Sequence, residues 1–234
     1  MTDKINVIET GKKALQELRP EPIELEKGLE KIEVEGGKII LEICKADKIE
    51  KVVFSSIEVR TMSVSEESVI IWPKDGYNFP MLWCNLTTMP GMNMVIFDFI
   101  PLMDIVVWQE YGETYLKNLQ EIKKKSLETL QGTIMEKDFD LSSVVVWSLS
   151  PYKLILKLTD EGVLSLTSVL SDYYSNYLSF WQKAQPVKND EDLKFCRGKK
   201  EAIRKLMKEN DPGYPIMVNI FGEEKTKKVF DIVF

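Results

Sequence analysis

The 234 residues include no histidine. This removes the side chain whose ordinary pKa lies nearest neutrality, and with it any His-based triad or His metal site. No Gly-x-Gly occurs either, which excludes both the dinucleotide fingerprint and a glycine-rich loop cradling phosphates. Cysteine is scarce. Cys44, Cys84 and Cys196 stand far apart, without metal-ligand spacing and without the cluster an iron–sulfur centre needs. They read as buried thiols of a reducing cytoplasm, not as a disulfide frame. No apolar run reaches membrane-spanning length, and the opening "MTDKINVIETGKKALQELRP" lacks the apolar centre of a signal peptide. A chain so equipped must do proton chemistry with Asp, Glu, Tyr, Lys or water. Any electrons must come from outside or from the ligand.

What remains is the composition of an ordinary folded chain: 44% hydrophobic and 29% charged, with five Trp and eight Tyr. The length suffices for one sizeable core, so one domain over residues 1–234 is expected, working as a cytoplasmic monomer with no membrane partner. A net charge of -6 argues against nucleic acid as a partner. The charge is uneven, however: residues 194–208, "KFCRGKKEAIRKLMK", carry seven basic residues and one acidic. Such a run is either a solvated helix face or a landing site for an acidic partner or for ligand carboxylates.

Hydrophobic spacing predicts an N-terminal helix over 3–18 (Ile5, Ile8, Leu15, Leu18), ended by Pro20 and Pro22. "KIEVEGGKIILEI" alternates about Gly36-Gly37 as a hairpin does, and "KVVFSSIEVRTM", "SVIIWP", "FPMLWCNLTTM" and "MNMVIFDFIPL" read as four further strands. Met89-Pro90-Gly91 suits a tight turn between the last two. Six consecutive short strands predict one antiparallel sheet. Residues 108–131 then have helical spacing, 142–158 are briefly extended, and 160–183, 189–208 and the C-terminal "GEEKTKKVFDIVF" are helical again. Helices on either side of one continuous sheet in the chain predict an α/β fold, a three-layer α/β/α sandwich with a central antiparallel sheet.

Asp211 stands out because it precedes Pro212, where the helix from about 191 must stop. Asn210 beside it tolerates the backbone of a helix end. The pair reads equally as a plain helix stop or as an acid held rigidly at a pocket mouth, with Tyr214 and Met217 desolvating it and raising its pKa. Three polar strand positions are weighed with it: Glu58, opposite in facing to Ile57 and Val59, and Asn85 and Asp98 inside apolar strands. Each is either a solvent-facing residue or a cap, or part of the lining of a cavity under the helices. Trp72, Tyr77, Phe79, Met81, Trp83, Met92 and Met94 suit an ordinary core and would equally suit a large flat ligand.

The C-terminal "NDPGYPIMVNIFGEEKTKKVFDIVF" and the segment "WPKDGYNFPMLWCNL", supported by "IFDFIPL" and "LSPYKLIL", resemble the ferredoxin-dependent bilin reductases, whose superfamily includes red chlorophyll catabolite reductase. The resemblance runs from about Gly28 to Phe234. It implies an α/β/α sandwich holding a linear tetrapyrrole between the sheet and the C-terminal helices. It also implies no bound metal or flavin, and reduced ferredoxin (or flavodoxin) as the external donor of single electrons. Asp211 would match the C-terminal aspartate beside the bilin that takes part in protonation, positioned by Asn210. Asn85 falls where many members carry an aspartate, and an amide cannot ionise. Ser68 or its neighbours occupy the place of a histidine used by one branch, and Glu58 matches a glutamate that contacts the bilin. Gly213-Tyr214 replaces a propionate-binding arginine, leaving Arg204, Lys205 and Lys208 as candidates for that contact.

The function this implies is a two-electron, ferredoxin-dependent reduction of a biliverdin-like bilin with protonation by Asp211, Asn85 and Asp98 or water assisting. An acidic ferredoxin would dock near 194–208. Reduction of a chlorophyll-derived linear tetrapyrrole, or a carrier without catalysis, stand as alternatives.

Overall fold

The structure is a computed structural model and describes residues 6–131, 133–134 and 148–234. Residues 3–5 of the expected first helix and 142–147 of the expected extended stretch lie outside these. The chain opens with α1 (Val7–Ala14), whose N-cap Asn6 accepts from the Glu9 N–H. A tight turn over Leu15–Leu18 follows it. Strands β1 (Glu21–Pro22), β2 (Lys31–Val34), β3 (Gly37–Ala46), β4 (Ile49–Val59), β5 (Val64–Pro73), β6 (Met81–Met89) and β7 (Met92–Ile100) come next. A short α2 (Gln109–Tyr111) passes through a wide helical turn at Gly112–Leu116 towards α3 (Leu119–Leu130). After β8 (Thr133–Ile134) and β9 (Leu154–Leu158), the chain is helical: α4 (Asp160–Leu164), α5 (Leu166–Lys183), α6 (Asp190–Asn210), α7 (Gly213–Phe221) and α8 (Glu223–Val233).

Among the described residues the strands form one sheet in the order β1-β3-β4-β5-β6-β7-β9-β8, with β2 also on β3, and every pairing is antiparallel. The six strands expected from alternation are β2–β7. The others are two-residue pieces or lie beyond the expected run. Each face of the sheet is covered by helices. On one side Gly11 of α1 and Tyr174 of α5 meet over Val69, and Tyr173 of α5 stacks on Phe99 at 5.2 Å. On the other, the Trp72 indole N–H donates to the Val233 carbonyl of α8 at 3.2 Å, and the Arg204 guanidinium of α6 lies 4.8 Å from the Trp72 ring. The result is the expected α/β/α sandwich.

Several boundaries differ from the sequence reading. Strand β5 begins at Val64, four residues before Ser68, because polar Ser65, Glu66 and Glu67 pair in register with both neighbouring strands. The helix expected over 108–131 is interrupted, and that over 160–183 breaks at Ser165. Residues 213–221, for which the spacing predicts no element, are helix α7. At the hairpin Val34 pairs with Gly37, so the turn is Glu35-Gly36. Gly37 is required there: a Cβ would come within 2.5 Å of the Glu58 carbonyl and 2.8 Å of the Phe221 ring, so α7 could not lie as close.

Candidate active site between the sheet and the C-terminal helices

Strand register sorts the polar residues into rungs. Ser55 pairs with Ser68, Ser68 with Asn85, and Asn85 with Ile96; the adjoining rung on the same face is Ile57, Glu66, Thr87 and Met94. With a period of two along each strand, both rungs share the face of Trp72, which packs against α6 and α8. Ser55, Ser68, Asn85 and Thr87 are all buried there, inside strands otherwise built of apolar side chains. Buried polar groups require partners. The Ser55 and Ser68 hydroxyls lie 3.2 Å apart, and the Thr87 hydroxyl donates to Asn85 Oδ1 at 3.1 Å with a longer 3.5 Å approach to Glu66 Oε2.

Asp211 enters this face from the end of α6. Pro212 holds its backbone extended (φ -69°, ψ 118°), which stops the helix as the sequence predicts. Its Oδ1 accepts from the Gly213 N–H at 2.7 Å. Burial raises the Asp211 pKa, and the Gly213 hydrogen bond opposes that rise. Glu66 is pushed up to about 7, by burial first and then by the charge of Asp211, while hydrogen bonds from Asn85 and Thr87 pull the other way. The site therefore presents two carboxyl groups, with the charge of Asp211 acting on Glu66 beside buried polar strand residues. Both hold a proton more tightly than a free carboxylate does, which is the condition for donating one near neutral pH. Among the described residues, no group of three or more His, Cys, Asp or Glu side chains could hold a metal ion.

The structure brings Ser68, Asn85 and Asp211 to this face, and separates the other expected residues from it in function or in space. Asn210 closes α6 with its amide donating to the Leu206 carbonyl at 2.9 Å on the exposed side. Asp98 shares the sheet face, but its carboxylate accepts from the Ser150 N–H at 2.7 Å and from the Ser150 hydroxyl. It ties down the segment ahead of β9, and burial raises it to about 6 against those bonds. Glu58 pairs with Ser65, which puts it on the opposite face, where it is exposed, 3.5 Å from the Arg60 Nε, and lines a separate cavity of ≈ 790 Å³. Arg204 is ion-paired to Glu50 and Glu201 and packed on Trp72. Lys205 is exposed, 3.9 Å from Glu209. Arg204, Lys205 and Lys208 do line one groove of ≈ 390 Å³, with Tyr214, Phe230 and Asp231.

The basic run is not a plain solvated face. Lys200 is 3% exposed, Arg197 lies 3.4 Å from Asp75, Lys199 donates to the Met103 carbonyl at 2.9 Å, and Lys208 to Asp231 at 2.8 Å. Glu66 escaped the sequence reading because "VSEE" lacks apolar alternation. The signal was its position two residues before Ser68, on the same face of any strand that includes both.

A family model described as ferredoxin-dependent bilin reductase matches residues 9–233. Phytochromobilin:ferredoxin oxidoreductase, chloroplastic, of Arabidopsis thaliana is 25% identical over 239 residues, covering 97% of this chain and 69% of the relative. Phycoerythrobilin:ferredoxin oxidoreductase of Prochlorococcus marinus is 22% identical over 182 residues, covering 75% of this chain and 67% of the relative. Among solved structures, phytochromobilin synthase from tomato in complex with biliverdin superposes with a TM-score of 0.79 at 19% identity, over 94% of this chain and 78% of that one. This last similarity is one of fold.

Proposed function

Since the chain belongs to the ferredoxin-dependent bilin reductases, and is thus an oxidoreductase of linear tetrapyrroles, we propose that it reduces a biliverdin-like bilin by two electrons. The bilin lies between the sheet and α6–α8, and Asp211 supplies a proton. The observation that carries this reading is Asp211 itself, a half-buried carboxyl at the helix stop whose charge reaches Glu66 on the sheet. Two relatives named as ferredoxin oxidoreductases of bilins support the substrate class and the donor.

The chromophore carries the redox chemistry, and the protein binds, orients and protonates it. Reduced ferredoxin delivers electrons singly, so the first transfer creates a radical and the second a closed-shell anion, each more basic than the species that accepted the electron. A neutral acid at that point fixes the electron by adding a proton. The raised pKa of Asp211 keeps more of it protonated than an exposed aspartate would be. Asn85 cannot ionise; it donates or accepts a hydrogen bond and holds the tetrapyrrole in place.

The test is an anaerobic absorbance titration with biliverdin, followed by a ferredoxin reducing system and a time course of spectra. Expected are a saturable spectral shift and then conversion to a blue-shifted product, with Asp211→Asn binding as tightly yet slowed by about 100-fold or more. No spectral shift with the wild-type protein, or an Asp211→Asn rate equal to wild type, would overturn the reading.

A further inference from the structure

A two-electron reduction adds two electrons and two protons, turning one double bond of the tetrapyrrole into two new C–H bonds. Two reduced ferredoxins each give one electron and are left oxidised. Asp211 accounts for one proton. Its side chain has a single acidic proton and returns for another only after exchange with solvent. The polar residue with the most central place on the strands, Asn85, has none to give.

Glu66 has the required place. It pairs with Thr87 on β6 and stands two residues from Ser68 on β5, so it shares the face that carries Ser68, Asn85 and Asp211. Its carboxyl accepts from the Asn85 amide and lies 3.5 Å from the Thr87 hydroxyl, neutral groups that orient it without neutralising it. The charged group that acts on it is Asp211, from the end of α6; Ser68 beside it on β5, and Thr87 and Asn85 across on β6, are neutral. Among the described residues it forms no ion pair, unlike Glu33 and Glu50 of the same sheet.

We infer that Glu66 is the second acid of the site, delivering one of the two protons of the reduction while Asp211 delivers the other. The inference rests on the bilin-reductase reading above. Two carboxyl groups that repel each other lose their protons in sequence, so one remains protonated after the other has reacted. The first transfer leaves a carboxylate that makes its neighbour hold on to the second proton until the second electron arrives. Burial and the nearby charge bring Glu66 to about 7, which suits donation near neutral pH.

The experiment compares wild type, Glu66→Gln, Glu66→Asp and Asp211→Asn in single-turnover reduction of biliverdin by reduced ferredoxin, with electron paramagnetic resonance on freeze-quenched samples and a pH profile. Gln keeps the shape and the hydrogen bonds but not the proton. Glu66→Gln is expected to bind biliverdin within about twofold of wild type, accumulate a one-electron-reduced radical, and form product about 100-fold more slowly. Glu66→Asp is expected to recover part of the rate, and the alkaline limb near pH 7 in wild type to be absent in Gln. Product formation by Glu66→Gln at the wild-type rate with the alkaline limb intact would overturn the inference and leave water as the second source. Loss of biliverdin binding in both Glu66 variants would overturn it too, by making the role structural. A wild-type protein that binds or reduces no tetrapyrrole would instead sink the functional reading on which this rests.

Discussion

Lys200, in the middle of the most basic stretch of the chain, is buried against Glu50 of β4 with 2.8 Å between Nζ and Oε2. Its other donors reach the carbonyl of Pro73, the last residue of β5, and Asp75 just beyond it. All three N–H bonds are thereby used, as a buried ammonium requires. Burial works against the charge of Glu50, but Lys200 and Arg204 outweigh it and hold the carboxyl below its ordinary range. The cluster fastens α6 to the sheet, and α6 is the element that ends at Asp211.

Removing Lys200 takes the buried cation from Glu50 and Asp75, although Arg204 still pairs with Glu50 and Arg197 with Asp75. Lys200→Ala is expected to lower the free energy of unfolding by about 2 kcal/mol, through the lost hydrogen bonds to charged groups and the lost packing. Lys205→Ala, an exposed neighbour on the same helix, should change it by less than about 0.5 kcal/mol. Urea denaturation of both variants checks the contrast, and equal effects would refute the structural role given to Lys200.

Asp98 accepts two hydrogen bonds from Ser150 across 52 residues of chain. Asp98→Ala would leave a buried N–H and hydroxyl without an acceptor, for an expected loss of about 2–4 kcal/mol. Bilin affinity, measured by absorbance in the folded fraction, should change little in comparison.

Stability should also report the raised carboxyls. A carboxyl with a higher pKa in the fold than in the unfolded chain binds its proton more tightly when folded. The stability it adds is complete below the unfolded value, about 4, and is lost as pH rises through the folded value. Those folded values are about 6 for Asp98 and about 7 for Glu66. The melting temperature of the ligand-free protein is therefore expected to fall between about pH 4 and about pH 7. Glu66→Gln should flatten the upper part of that fall, and an unchanged slope in this variant would contradict the environment described for Glu66.

Gly37→Ala probes the approach of α7. The added methyl would meet the Glu58 carbonyl and the Phe221 ring at distances no Cβ sustains. A loss on the order of 2 kcal/mol is expected in thermal or urea unfolding. Gly76→Ala makes a useful comparison, since a Cβ there meets nothing within 4 Å and only its φ of +96° opposes the change.

The six central strands were legible because β-branched and aromatic residues alternate through them. The helix stop at Asp211 was legible because Pro212 excludes helical geometry from the residue before it. Alternation failed where polarity hides it, at Ser65–Glu67, and with it went Glu66. The apolar run Gly213–Phe221 is too short to show a helical period; it is helical, with Met217 and Phe221 buried.

By itself the sequence determined the chemistry available: no histidine, no cofactor-binding loop, a carboxyl placed at a helix end, and strands enough for one antiparallel sheet. The tertiary structure decided which side chains share a face. Cross-strand register, set between residues far apart in the chain, groups Glu66, Ser68 and Asn85 on one face, and the end of α6 brings the charge of Asp211 within reach of Glu66. The same register turns Glu58 away, and partners elsewhere in the chain occupy Asp98 and Arg204. Local spacing says which way a residue points relative to its neighbours; only pairing with distant strands and helices says what it points at.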